Sequence, residues 1–399
     1  MKDSAPLTIR VSVDVGCHKH NVAVGLSNGE FLEEFEILHN SEGFNEFFTH
    51  IEAHEKKYAC PVAVAMEGYN GYARPLDSLV LTRNYRLYNI NNLKFARFKE
   101  IFPAAAKTDE IDARKGLELF QLSESLPTAK NALQEVKAVP EENRILKRLS
   151  RRRRRLVNEK VRVVNNFQAD LQSVCPGLLE LTNDAENLWF LRFITSTDNL
   201  ARLSRVRRKT ILKIPGIGAK YADIIVQWQK EANFSEDVEW VGEMIQEDAG
   251  RLLELHEQIK ALESKMADAA TRSSIYKSLN SIPGFGPVCS SELSGEIGII
   301  DRFKKEGSIG LYLGMSNLDN SSGKVKGSKA PKHVNSRAKA AMMTAVDRHR
   351  KQVVQSQQYY EKKRAEGKTH NQAIRALGRH LCRVIYKLLK EKRDYQTRN

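Results

Sequence analysis

Cysteine is scarce in this chain of 399 residues, and the few that occur are scattered. Cys17, Cys60, Cys175, Cys289 and Cys382 are odd in number and contain no Cys-x-x-Cys pair. That excludes a disulfide framework and a cysteine zinc site as the basis of the fold, and a reducing interior suits them. Long apolar runs are missing as well. No stretch of about 18 apolar residues exists, so no hydrophobic membrane span is expected. The opening Met-Lys-Asp-Ser-Ala-Pro lacks the apolar segment of a signal peptide, and a cytoplasmic location is expected. Acidic residues are outnumbered: 64 Lys and Arg face 49 Asp and Glu, giving a net charge of +15 and a pI of about 9.5. A balance of that sign favours a polyanionic partner. With 41% hydrophobic and 28% charged residues, the chain reads as globular and is long enough for two or three domains.

The excess charge is unevenly placed. Residues 301–399 hold 24 Lys and Arg against 8 Asp and Glu, whereas residues 1–300 hold 40 against 41. The C-terminal quarter therefore supplies nearly all of it. A solvated basic tail is the bland explanation; contact with nucleic acid is the favoured one.

Four acidic residues carry most of the chemical information. Asp14 ends the β-branched run Thr8-Ile-Arg-Val-Ser-Val-Asp14, and Glu67 ends the apolar run Pro61-Val-Ala-Val-Ala-Met-Glu67. Asp109 and Asp112 stand three apart in Lys107-Thr-Asp-Glu-Ile-Asp-Ala113, so in a helix both project from one face. Clustered carboxylates repel: two unit charges at 4 Å cost about 4 kcal/mol at an effective dielectric of ~20. Mg²⁺, with Mn²⁺ as the alternative, fits such a set, because it prefers carboxylates together with substrate phosphate oxygens. Glu110 is read as a solvated neighbour.

The local pattern places these acids. Ile9–Val15, 21–26 and Phe31–Leu38 read as three strands in a meander, with turns at Gly16 and Asn28-Gly29. A helix over Ser41–Tyr58, a strand over 62–66, a helix over 72–83, a strand over Arg86–Ile90 and helical material from Leu93 follow. Three consecutive strands followed by alternating helix and strand resemble the ribonuclease H topology. There the first strand is central and the fourth lies beside it, which would put Asp14 and Glu67 on one edge.

Residues 126–274 read as helical. Leu149, Leu156 and Val163 recur at seven, and Leu252, Leu255, Ile259, Leu262, Met266 and Ala269 alternate spacings of three and four like a coiled-coil seam. The seam is expected to pair protomers, with packing of two helices inside one domain as the alternative. Arg151, Arg152, Arg153, Arg154 and Arg155 spread around a whole helix circumference and cannot all meet one acidic helix face. Phosphate contact is expected to explain them better than salt bridges; a solvated run or a localisation signal is the weaker alternative. Ile214-Pro-Gly-Ile-Gly218 and Ile282-Pro-Gly-Phe-Gly286 repeat one pattern, readable as a phosphate-binding helix-hairpin-helix turn or as a plain interhelical turn. The stripe Ile374, Leu377, Leu381, Val384, Ile385 and Leu388 reads as core.

A glycine-punctuated, basic stretch from Leu311 to Gly327 contains Ser316, Ser321 and Ser322. Ser322 precedes Gly323, but a serine hydroxyl is a weak nucleophile until it is activated, and a loop serine is usually a turn residue. Lys324, Lys326, Lys329, Lys332 and Arg337 around it are candidate nucleic-acid contacts.

Taken together these residues resemble the DEDD transposases of bacterial insertion sequences. The matching pieces are Val13-Asp14-Val-Gly16, Met66-Glu67-Gly68, Lys107-Thr-Asp109-x-x-Asp112-Ala113-Arg114, Ile282-Pro-Gly-Phe-Gly286, Arg302-Phe303, Leu313-Gly314 and Ser322-Gly323. The family commonly has Gly-Leu-x-Pro before its serine; here the residues are Gly314-Met-Ser-Asn. The resemblance implies an α/β plus all-α chain: a RuvC-like, ribonuclease H-fold domain over 8–125, a helical coiled-coil region over 126–274, and a mainly helical C-terminal transposase domain over 275–399. It implies that Asp14, Glu67, Asp109 and Asp112 bind Mg²⁺. It further implies that Ser322 attacks a DNA phosphodiester to form a covalent intermediate, with Ser321 the neighbouring choice. Target and donor DNA, a structured guide RNA and a homo-oligomer, dimer or tetramer, in a bacterial or archaeal cytoplasm are the implied partners and setting.

Three readings compete with it. A RuvC-like metal-dependent nuclease or junction resolvase would use the acids with water and no serine. A non-catalytic nucleic-acid-binding protein would need only the basic surfaces. An actin-like ATPase would explain Val13-Asp-Val-Gly16 with Lys19 but needs a second Asp-x-Gly loop, and no convincing one occurs.

Overall fold

The computed structural model describes residues 6–67, 71–101, 109–126, 132–322, 327–329, 331 and 334–396. The chain divides into two compact units, Met1–Ala138 and Val139–Asn399.

The first unit is a mixed sheet covered by helices. Its strands are β1 (Ile9–Val15), β2 (Lys19–Leu26), β3 (Phe31–Leu38), β4 (Val62–Met66), β5 (Arg86–Ile90) and β6 (Leu133–Val136); its helices are α1 (Ser41–Tyr58), α2 (Arg74–Thr82), α3 (Asn92–Ile101) and α4 (Asp109–Ser125). The order across the sheet is β3-β2-β1-β4-β5-β6. β1 runs antiparallel to β2 and parallel to β4, so the first strand is central and the fourth lies beside it, consistent with a ribonuclease H-like sheet. β4 is buried throughout and reads as an uninterrupted apolar run because both its faces are covered. The Asn40 side chain accepts from Gly43 N at 2.9 Å to start α1, and Ala59 in the left-handed region ends it. The terminal strand β6 pairs antiparallel with β5. It has no counterpart in the sequence reading, because Leu-Gln-Glu-Val is short and only half-buried.

The second unit is helical: α5 (Glu141–Val174), α6 (Pro176–Leu179), α7 (Leu188–Ile194), α8 (Arg208–Ile211), α9 (Ala219–Glu231), α10 (Val238–Ala270), α11 (Ser274–Asn280), α12 (Pro287–Ile297), α13 (Glu306–Tyr312), α14 (Ser336–Gln352), α15 (Val354–Ala365) and α16 (His370–Glu391). A two-stranded ribbon, β7 (Leu318–Asp319) with β8 (Ser328–Lys329), lies between α13 and α14. The long helices α5 and α10 pack on each other. Leu156, Val163, Phe167 and Leu171 share one core with Ile245, Ala249, Leu252 and Leu255, while Ile259 and Leu262 are partly buried against it. Met266 and Ala269 close on Leu146. Each of the Leu, Ile, Val, Phe and Met side chains among them contributes about 1.5–3 kcal/mol when fully buried. The seam expected to pair protomers is thus closed within the chain, which corrects that reading of these residues. α12 crosses α5 closely enough that a Cβ on Gly295 would overlap the backbone at Lys147, so the helical and C-terminal regions form one unit. The stripe on α16 is core, with Ile374, Leu377, Leu381, Ile385 and Leu388 buried and Val384 partly so. Among the described residues, no helix is long and apolar enough to cross a membrane.

Candidate active site

Strand pairing brings Asp14 and Glu67 together. Val13 stands opposite Met66 in the parallel β1–β4 ladder, and Glu67 N–H donates to the Val13 carbonyl at 3.2 Å. Asp14 and Glu67 therefore leave adjacent strands at one edge of the sheet. Helix α4 delivers the other two. It lies across β1 and β2, with Ala113 and Leu117 packed on Ala23, and Gly116 comes so close to β1 that a Cβ there would overlap Ser12 Oγ. Asp109 and Asp112 occupy its first turn, where the positive end of the helix dipole favours carboxylates.

Asp14 and Glu67 feel the charges gathered around them. Burial pushes Asp14 up to about 6, with the charges of Asp112 and then Asp109 adding to the rise and Lys99 opposing it. Burial also raises Glu67; Lys99 counters this, and Asp14 and Asp112 add to it. The three-residue spacing of Asp109 and Asp112 is realised as a helix turn, with Asp109 exposed and Asp112 half-buried. Glu110 is exposed, as a solvated neighbour would be.

Lys99 of α3 is a site residue that no sequence pattern marked. Its Nζ donates to Asp112 Oδ2 at 2.9 Å and lies 4.4 Å from the Phe95 ring centroid, one turn back. Any signal lies only in that i, i+4 pairing. The donor set at this edge is carboxylate oxygen, the ligand class of Mg²⁺ and Mn²⁺. Two of its members are held above their ordinary values by burial and by like charge, which a bound cation relieves. In chemistry the residues fit a hard divalent ion. As placed, no three His, Cys, Asp or Glu side chains among the described residues close around one point, and the cation in contact is the Lys99 ammonium.

In the second unit, Ser321 and Ser322 are exposed in the segment between β7 and β8, and Ser316 is half-buried near the end of α13. Gly68, Lys107, Thr108, Gly323, Lys324, Lys326 and Lys332 lie outside the described residues. Lys329 and Arg337 are exposed. The segment carrying the serines returns to the helical body at Asn335. Its amide group is fully engaged: Nδ2 donates to Glu296 Oε2 and Tyr312 Oη, each at 2.7 Å, and Oδ1 accepts from the backbone of Arg337 and Ala338.

The arginine run departs from expectation. Arg151 makes a two-pronged pair with Glu296 (2.6 and 2.9 Å), Arg154 does the same with Glu292 (2.6 Å twice), and Arg153 meets Glu263 at 2.6 Å. For these three, salt bridges and not phosphate contact account for the side chains, contrary to expectation. The five do not need one acidic face, because α12 and α10 each supply one. Glu292 and Glu296, four apart on α12, match Arg151 and Arg154, three apart on α5; that complementary spacing was the signal available in the sequence. Arg152 and Arg155 are exposed.

The repeated Ile-Pro-Gly-x-Gly motif forms the same interhelical turn twice. Gly216 and Gly284 have φ of +96° and +82°, and Gly218 and Gly286 cap α9 and α12. In the second copy His349 Nδ1 donates to the Pro283 carbonyl at 2.7 Å, and Arg348 borders a cleft of about 350 Å³ beside the turn.

An acid-edged mixed sheet followed by a basic helical unit is an arrangement suited to nucleic-acid processing, and comparison with known proteins makes the class definite. Residues 11–176 match the DEDD transposase family of IS110, and residues 276–361 match the transposase IS116/IS110/IS902 family. The chain is 24% identical over 392 residues, 96% of this chain and 95% of the relative, to an uncharacterized 44.8 kDa protein of insertion element IS116 from Streptomyces clavuligerus. It is 25% identical over 316 residues, 77% of this chain and 76% of the relative, to an uncharacterized 43.6 kDa protein of insertion element IS110 from Streptomyces coelicolor. A 42 kDa protein of insertion element IS900 from Mycobacterium paratuberculosis is 30% identical over 118 residues, 29% of each chain. The chain belongs to the IS110/IS116 family of insertion-element transposases.

Proposed function

We propose that this transposase cuts and rejoins DNA by transesterification, with Asp14, Glu67, Asp109 and Asp112 holding Mg²⁺ and Ser322 acting as the nucleophile. The observation that carries the metal reading is the convergence of the acids: adjacent strand ends bring Asp14 beside Glu67, α4 lays its first turn with Asp109 and Asp112 at the same edge, and the charges of Asp112 and Asp109 add to the rise of Asp14. In this reading the sheet unit is a RuvC-like domain. When bound, the metal supplies charge neutralisation and polarises phosphate oxygens. The four carboxylates would hold it, and Lys99, which donates to Asp112 Oδ2, would have to release that carboxylate. The Ser322 Oγ–phosphorus bond forms as the bond from phosphorus to a deoxyribose oxygen breaks. The serine proton leaves, and the departing sugar oxygen takes one up. Attack by a second sugar hydroxyl reverses the exchange and frees the serine. One phosphoester replaces another at each step, so joining needs no nucleotide cofactor.

The exposure of Ser322 in a ribbon rooted at Asn335 supports access to a strand. The basic C-terminal quarter supports binding of target and donor DNA and of a structured guide RNA, where base pairing would read sequence and the protein would grip backbones. Four strand ends imply a homo-oligomer. The test is to trap the protein on labelled duplex carrying the ends of its element and resolve it under denaturing conditions. A covalent adduct lost in Ser322→Ala and in Asp14→Asn, and retained in Ser321→Ala, supports the reading. An adduct that survives both serine substitutions removes serine from the mechanism, and hydrolysis without joined product points to a nuclease that uses water.

A further inference from the structure

A cleft of about 240 Å³ in the second unit is lined by Arg151, Arg154, Arg155, Asn158, Ser336 and Arg337. Four guanidinium groups line it and no carboxylate does. Two of them are already committed, Arg151 to Glu296 and Arg154 to Glu292, and these acids sit behind the wall, with side chains 0% and 5% exposed. Arg155 and Arg337 are exposed and meet no carboxylate among the described residues. The wall is rigid for a physical reason. Glu296 receives both Arg151 and Asn335, and Asn335 also bonds Tyr312 and caps α14. The backbone N–H groups of Arg337 and Ala338 are taken by Asn335, so the cleft draws its charge from side chains and not from the helix end.

We propose that this cleft is a phosphodiester-binding site for the DNA strand, in which Arg155 and Arg337 grip the phosphate, Asn158 and the Ser336 hydroxyl assist, and Arg151 and Arg154 shape the wall. Guanidinium is the side chain suited to phosphate geometry. DNA is the occupant chosen because Ser336 and Arg337 directly follow Asn335, where the serine segment rejoins the body. A phosphate held here lies at the foot of that segment. This choice of strand rests on the function proposed above. The site divides the arginine run into a binding residue, Arg155, three that brace the fold, Arg151, Arg153 and Arg154, and the exposed Arg152.

The experiment measures binding of the full chain to a labelled DNA duplex across about 50–200 mM salt, a range over which phosphate contacts reveal themselves. Arg155→Gln and Arg337→Gln are each expected to flatten the plot of log affinity against log salt by about 1, and the pair by about 2, weakening binding to all sequences alike. Thermal midpoints of these variants should match the parent, while Arg154→Gln should melt earlier. An unchanged slope in the double variant overturns the proposal. So does a lowered midpoint in Arg155→Gln and Arg337→Gln, which would make them structural. A parallel titration with RNA of the same sequence separates the strands: a slope change with RNA and none with DNA overturns the assignment to DNA. The Ser322 adduct is read separately. An adduct together with an unchanged slope sinks the cleft and leaves the transposition chemistry standing; no adduct in the parent sinks the chemistry instead.

Discussion

Replacing Arg151 by glutamine removes the guanidinium from Glu296, whose side chain is 0% exposed. Breaking a buried pair from one side commonly costs 3–5 kcal/mol, because the remaining charge keeps its desolvation penalty. Two features favour the low end: the Arg151 side chain is itself 38% exposed, and Asn335 still donates to the carboxylate. We expect a loss of about 3 kcal/mol. For a unit of this size each kcal/mol moves the melting midpoint by about 2–4 °C, so the second unit should melt roughly 6–12 °C lower at neutral pH. Differential scanning calorimetry measures this directly, and Arg152→Gln, an exposed neighbour, should stay within about 0.5 kcal/mol of the parent. The pH dependence adds a second check. Arg151 and Asn335 hold Glu296 below its ordinary 4.5 despite the opposing effect of burial. A depressed acid contributes stability that is present above its unfolded value and lost as pH falls through its folded one. The gap between Arg151→Gln and the parent should therefore shrink on acidification below about 4.5. Equal melting of parent and variant at neutral pH would refute the reasoning and return Arg151 to the pool of free phosphate-binding arginines.

The acid edge gives further predictions. Asp14 is raised from 3.8 to about 6, so in metal-free protein its contribution is present below 3.8 and lost as pH rises through about 6. Urea titrations across that window should show stability falling in the parent and a flatter profile in Asp14→Asn; identical profiles contradict the cluster. Removing the opposing cation with Lys99→Met should push Asp14 and Glu67 further up, and carboxyl carbon NMR titration would show no change if Lys99 stood apart from them. The repeated motif offers an internal comparison. Gly284→Ala meets the backbone at His349 with a left-handed φ, whereas Gly218 has open space around it. The first should lose more than the 1–3 kcal/mol of backbone strain alone and the second little, as read by chemical denaturation.

Much of the first unit was legible because its strands carry a period-two or uninterrupted apolar signal. Ile9–Val15, Phe31–Leu38 and Arg86–Ile90 fall where the pattern puts them, and the β1–β4 pairing follows from the order of elements. β6 was not legible, since two half-buried residues flanking two exposed ones give no periodicity. The positions of the four acids were readable, because two stand at strand ends and two on one helix turn. Lys99 was not, because nothing local links it to residues 13 positions away on another helix. The arginine run misled for a related reason. Arg151 meets Glu296 across 145 positions and Arg153 meets Glu263 across 110. A helix circumference that appears unsatisfiable by one partner is satisfied by two. The seam of α10 likewise shows its apolar period without naming its partner, and the partner is α5 of the same chain.

The central claim is that Asp14, Glu67, Asp109 and Asp112 form one cation-binding set. The most direct measurement is a Mn²⁺ titration of the full chain, followed by electron paramagnetic resonance above pH 6, for the parent and for Asp14→Asn, Glu67→Gln and Asp112→Asn. The account predicts binding in the parent that weakens at least about tenfold in each variant, a difference of about 1.4 kcal/mol. Equal binding in all four proteins, or none in the parent, would contradict it.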